Sequence, residues 1–224
     1  MTVPRGRRHA RLYGLGTSVP PHQAEQPKVK LFMASLAEAT LKGRRRAVTL
    51  EFLNGIYATS GIEKRHSVLG DYTKDDPEDF DFYPANWALE PFPTTAARMK
   101  LYEKWSVDLA EEACRKALRE SGARPAEVTH LIFTTCTGLF APGPDILLLG
   151  RLGLGPQVHR AVLGFMGCYA GFNGLRMAGQ ILAAEPEAVV LQVCVELCTL
   201  HFQKKALPDF IVANSLFGDG AAAA

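Results

Sequence analysis

Three stretches of this chain, residues 128–135 (VTHLIFTT), 158–165 (VHRAVLGF) and 188–195 (AVVLQVCV), read as strands that are apolar on both faces. A strand without a polar face has nowhere to meet water, so both of its faces must be covered. Helical segments stand between and around these strands. Residues 107–121 place Leu109, Ala110, Ala113, Cys114, Ala117 and Leu118 on one face, which is the helical period. Residues 147–154 and 169–184 also read as helices. The alternation predicts an α/β class chain with a mainly parallel sheet covered by helices.

Further elements follow the same logic. Residues 11–19 (RLYGLGTSV) predict a first strand, closed by Pro20 and Pro21. Residues 31–56 are helical in character, with Gly43-Arg44-Arg45-Arg46 as a basic interruption. Residues 71–93 are acidic, proline-rich and aromatic, with Phe80, Phe82, Tyr83, Trp87 and Phe92. A disordered linker carries few aromatics, so an ordered loop is predicted. Residues 217–224 open a last strand after an FGDG turn. A chain end inside a core strand is unusual, and the expectation is a domain over 11–224 truncated in that strand, preceded by a flexible tail over 1–10.

Composition narrows the function classes. The 25 basic and 23 acidic residues nearly cancel, which gives no reason to expect a nucleic acid partner. Five cysteines in 224 residues argue against a disulfide framework and for a reducing, cytoplasmic setting. Residues 1–11 are basic without an apolar core, unlike a signal peptide. No apolar run reaches the roughly 18 residues that a membrane span requires.

Cys168 carries the strongest chemical signal. In GFMGCYAGFNG (164–174) a strand feeds a glycine turn, and a helix begins just after the sulfur. A helix N-terminus lowers a thiol pKa and favours a nucleophilic thiolate, and acyl transfer through a thioester is the matching chemistry. A buried structural thiol is the equal alternative on local pattern alone. None of the six histidines stands in a context that announces a base. His130 and His159 lie inside apparent strands, and His201 is the one plausible pocket residue. Cys136, Cys168, Cys194 and Cys198 near strand ends, with His201, invite a zinc reading, but no pair has the C-x₂-C spacing of structural zinc, and no metal is expected. Cys194 points opposite to Val193 and Val195 and is read as core. For Glu196 two readings stand, a carboxylate steadying the loop around Cys168 or a solvated strand-end acid. Asp219 is expected to close the turn beside Phe217 through backbone amides. Arg44, Arg45, Arg46 and Arg65 are weak candidates for phosphate contacts of a coenzyme A substrate, against a default of solvated surface.

Taken together, SGIEKR (60–65), THLIF (129–133), Gly138 with Pro142-Gly143, GCYAG (167–171), CVE (194–196) and LFGDGAAA (216–223) resemble the N-terminal half of a type III polyketide synthase. This is the chalcone synthase-like branch of the thiolase fold. The resemblance implies one αβαβα half, with the C-terminal half absent from the chain, and a homodimer. It implies that Cys168 takes a starter acyl group from acyl-CoA and that malonyl-CoA extends it by decarboxylative condensation, without a permanently bound cofactor. It carries Phe217 over as a second catalytic position, and Cys136, Thr137, Ala141, Cys198 and His201 as cavity positions. Plant chalcone synthases have threonine at Cys136, Cys198 and His201, and methionine at Ala141. The stretch 196–202 resembles bacterial enzymes that make alkylpyrones or alkylresorcinols from fatty acyl starters. The family's catalytic histidine and asparagine fall beyond residue 224. The alternatives are a ketoacyl-acyl carrier protein synthase-like single condensation and a noncatalytic thiolase-fold domain.

Overall fold

The computed structural model describes residues 10–224, so most of the expected tail, with His9, lies outside the described residues. The chain divides into two compact units. One holds the residues up to Ser18, Tyr102–Glu196 and Gly220–Ala224; the other holds Val19–Leu101 and Leu197–Asp219.

The first unit is built on a five-stranded sheet. Its strands are β1 (Gly16–Ser18), β4 (His130–Thr135), β5 (His159–Gly164), β6 (Val190–Leu197) and β7 (Asp219–Ala223), in the order β1-β7-β6-β4-β5. β4 runs parallel to both β5 and β6. β1 pairs antiparallel with β7. All six residues of β4 are buried, as a strand covered on both faces requires. Helices α4 (Pro144–Leu152) and α5 (Tyr169–Ala184) pack on β4 and β5. Helix α3 (Thr95–Ser121) buries Leu109, Ala110, Ala113, Cys114 and Ala117, the face that the periodicity predicts.

Several boundaries differ from the sequence reading. The first strand is only three residues long. α3 starts twelve residues earlier than 107, because Tyr102 and Ser106 continue its buried face through residues that a search for aliphatic spacing passes over. α5 matches its predicted span.

The second unit contains the hairpin β2 (His22–Glu25) with β3 (Lys64–Ser67), and helices α1 (Gln26–Thr40), α2 (Gly43–Thr59) and α6 (Pro208–Leu216). The basic run does not interrupt a helix. It forms the first turn of α2, after a break at Leu41 and Lys42. The loop 71–93 is ordered, and its aromatics explain why. Phe32 of α1 meets Tyr72, Phe80, Tyr83, Trp87 and Phe202 with ring centroids 5.0–6.1 Å away. Asp71 is fully buried and accepts the amides of Asp81, Phe82 and Tyr83. One buried carboxylate therefore satisfies three loop donors. No helix among the described residues is long and apolar enough to cross a membrane.

Candidate active site

Cys168 lies between β5 and α5. Phe165 (φ 57°) and Gly167 (φ 64°) both take left-handed backbone. Glycine accepts this conformation freely, whereas phenylalanine is strained in it. The turn is thus a forced bend that lifts the next residue clear, and Cys168 is exposed. Cys168 is the N-cap of α5, already in helical conformation (φ −58°, ψ −22°). The sequence reading has helix amides facing the sulfur. The structure employs two of them elsewhere: Ala170 N donates to Gly167 O at 3.0 Å and Gly171 N to Cys168 O at 3.3 Å.

The loop after β4 lies beside this turn. The Cys136 thiol donates to Gly167 O at 3.8 Å. Glu196, the penultimate residue of strand β6, accepts the Cys136 amide at 2.9 and 3.1 Å and the Thr137 hydroxyl at 2.7 Å. Glu196 does steady a loop, as one of its two readings has it, but the loop these bonds hold is the one after β4, beside the turn of Cys168. On the other side of the loop, the Tyr102 hydroxyl bonds Thr135 Oγ1 at 2.8 Å. Burial pushes the Tyr102 phenol up to about 12, so it stays a neutral donor. A Cβ on Gly138 would stand 2.1 Å from the Tyr102 ring, so only glycine lets the loop close over it.

Buried Gln192 of β6 reaches under the same helix and donates to Gly171 O at 2.9 Å. Nothing in the sequence reading marked this residue, because a glutamine in an apolar strand carries no motif. Cys194 is half-buried rather than full core, with its sulfur toward Gly171 and Gln192. Cys114 is the buried structural thiol, pushed up to about 12 by burial and inert. Ala141 is exposed. His130 and His159 stack at 5.0 Å where β4 and β5 begin. Six residues of extended chain, about 20 Å, separate His130 from Cys136. These histidines serve the far end of the sheet. One cavity, of about 1090 Å³, is lined by Tyr13, Leu175, Leu182 and Val190 among others, and by none of the candidate residues. It is therefore no guide to the chemistry.

The other candidates belong to the second unit. Cys198 and His201 bound a short 3-10 helix, Cys198–His201. Phe217 follows α6 and is half exposed. Asp219 does not close its own turn. It accepts Val68 N at 2.8 Å, Thr199 N at 2.8 Å and Thr199 Oγ1 at 2.6 Å. Thr199 lies between Cys198 and His201, so this one carboxylate ties their segment to the one that follows Phe217. Arg65 is turned inward: it donates to Phe217 O at 3.0 Å and to Asn214 O, with Tyr57 beside its guanidinium. Arg44, Arg45 and Arg46 are exposed. No group of three or more His, Cys, Asp or Glu among the described residues is arranged to hold a metal ion.

With this fold and turn in place, comparison with known proteins identifies the class. A family model described as chalcone and stilbene synthases, N-terminal domain, matches residues 2–224. Probable polyketide synthase 1 of Dictyostelium discoideum is 34% identical over 210 residues, which is 94% of this chain and 6% of that protein. The alpha-pyrone synthesis polyketide synthase-like Pks18 of Mycobacterium tuberculosis is 39% identical over 130 residues, 58% of this chain and 33% of that one. Among solved structures, the C-terminal type III polyketide synthase domain of Steely1 from Dictyostelium superposes with a TM-score of 0.83 at 32% identity, over 96% of this chain and 55% of that one. The chain belongs to the chalcone and stilbene synthase family, the type III polyketide synthases, and carries its thiolase-like N-terminal domain. It spans about half of that solved domain and less of the two relatives.

Removing the loop clamp has a direct cost. Glu196→Ala leaves the Cys136 amide and Thr137 hydroxyl without their acceptor, and should lower unfolding free energy by about 2 kcal/mol in urea titrations. Glu196→Gln, which keeps one acceptor, should lose less. Equal stability of the alanine variant and the parent would refute the clamp.

Asp219 makes a pH prediction. Burial raises its pKa from 3.8 to about 6, against the Thr199 and Val68 hydrogen bonds and the charge of His201. The folded state therefore holds the proton more tightly than the unfolded chain. Its contribution is greatest below the unfolded value and is lost as pH rises through the folded one. Between about pH 5 and about pH 7 the parent should lose on the order of 1 kcal/mol relative to Asp219→Asn. Parallel stability curves for the two proteins would show that Asp219 does not titrate there.

Proposed function

We propose that the complete protein is an acyltransferase that builds polyketides on Cys168. The observation that carries this reading is the exposed thiol on a forced strand–helix turn, at the carboxyl ends of the parallel strands. In α/β sheets these ends are where ligands bind. The Cys168 thiolate attacks the carbonyl of an acyl-CoA, the coenzyme A thiolate leaves, and a thioester forms. Malonyl-CoA loses carbon dioxide, and the resulting enolate carbon attacks that thioester. The resemblance assigns the base and oxyanion contacts to a histidine and an asparagine beyond residue 224, and a decarboxylation role to Phe217.

The starter in this reading is a fatty acyl group, and the cyclised product is an alkylpyrone or alkylresorcinol. Ala141 in place of methionine removes bulk from the expected cavity, and each CH₂ buried in a tunnel adds about 0.8 kcal/mol. A relative named for alpha-pyrone synthesis supports the same direction. The resemblance carries Cys136, Thr137, Cys198 and His201 over as cavity positions.

Acyl-CoA starters from acetyl to palmitoyl, incubated with malonyl-CoA and the complete protein, test the reading by mass spectrometry. Long-chain pyrones or resorcinols are expected, and the Cys168→Ala variant should load no acyl group. A single β-ketoacyl thioester would instead favour the one-step condensing enzyme. Normal loading of Cys168→Ala would end the assignment.

A homodimer is part of the same proposal. β5 is an edge strand, and the exposed apolar side chains Val162, Phe165, Met166 and Phe172 on and after it suit a second copy. Sedimentation of the complete protein should give a dimer, and a monomer at assay concentration would count against it.

A further inference from the structure

We propose that Cys136 is a resolving cysteine for Cys168, and that peroxide joins the two as an intramolecular disulfide. The two thiols come from neighbouring parallel strands. Thr135 is in register with Gly164, so Cys136 leaves β4 just past the last pair, while Cys168 stands four residues past it on β5. The Cys136 sulfur lies 3.8 Å from the carbonyl oxygen of Gly167, the residue bonded to Cys168. Cys136 is held in place by its amide on Glu196, with the Tyr102–Thr135 bond one residue away. Cys168 is exposed, so a small oxidant reaches it without unfolding.

The neighbouring thiols lack this placement. Cys114 is fully buried in α3. Cys194 lies against Gly171, with Gln192 Nε2 3.6 Å from its sulfur.

The chemistry closes with hydrogen peroxide as the only co-reactant. The Cys168 thiolate attacks one peroxide oxygen. An S–O bond forms, the O–O bond breaks, and the departing hydroxide takes up a proton as water. Cys136 then attacks the Cys168 sulfur. The S–S bond forms, the S–O bond breaks, and a second water leaves with the Cys136 proton. Two thiols give up two electrons, and one peroxide becomes two waters. A dithiol reverses the step by exchange through a mixed disulfide. Without a resolving thiol, a sulfenic acid at Cys168 continues to the sulfinic acid, which a dithiol does not reduce.

Loss of condensation activity on oxidation rests on the acyl-carrier role proposed above; formation of the disulfide does not. The test is to reduce the complete protein, remove the reductant, add hydrogen peroxide in excess of two equivalents, block free thiols with iodoacetamide and map the peptides by mass. The expected result is a linked pair of peptides carrying Cys136 and Cys168, lighter by two hydrogens than their sum and separated by dithiothreitol. Condensation activity should fall at least about tenfold and return with dithiothreitol. In Cys136→Ser, the Cys168 peptide should gain two oxygens, and dithiothreitol should not restore that variant's own unoxidised rate. The proposal is overturned if the parent yields sulfinic Cys168 with Cys136 alkylated, or if Cys168 pairs with Cys194 or with a second chain. A Cys136–Cys168 disulfide with undiminished activity would uphold the pairing and remove Cys168 as acyl carrier.

Discussion

β4 is hydrogen-bonded along both edges to parallel neighbours, and all six of its residues are buried. This pairing sets what the rest of the first unit can do. A strand with partners on both sides and no wet face needs helices above and below, and α4 and α5 supply part of that cover. Parallel pairing also sends the chain off all three strands in one direction. The loop with Cys136, the turn with Cys168 and the end of β6 with Glu196 are brought together for that reason. A one-residue slip in β4 would turn its side chains over and separate these groups.

Buried and half-buried carboxylates organise the loops. Glu196 takes the amide and hydroxyl of the segment after β4, Asp219 takes donors from Val68 and Thr199, and Asp71 takes three amides of the aromatic loop. In each case acceptor and donors come from segments distant in sequence or separated by a loop. An unpaired amide in such places costs about 1–3 kcal/mol, so each carboxylate is a local constraint on loop shape. Cys168, by contrast, is exposed.

Legibility followed physical range. α5 and the strands β4, β5 and β6 were readable because period and apolar content act over a few neighbouring residues, but the cover expected on both faces holds for β4 and most of β6 and not for β5, an edge strand whose residues are exposed or half-buried. The turn around Cys168 was readable because glycine and the strand-to-helix change mark it. β2 and β3 were not, since four-residue strands of mixed polarity carry no period, and α6 lies in a stretch without a clear amphipathic face. Gln192 was invisible because its meaning is a contact with Gly171, twenty-one residues away. The fate of Arg65 was also a long-range matter, with a basic residue turned onto the chain's own carbonyls.

The sequence by itself determined the α/β class, the three parallel strands and the placing of a cysteine at the start of a helix, because those depend on local composition and periodicity. The resemblance in GCYAG and LFGDGAAA pointed to the family, which comparison along the whole chain established. Tertiary structure alone decided which carboxylate holds which loop, which thiol stands beside Cys168 and which histidines are kept far from it. Those are matters of strand order and register, fixed only when hydrogen-bonded partners far apart in the chain are brought side by side.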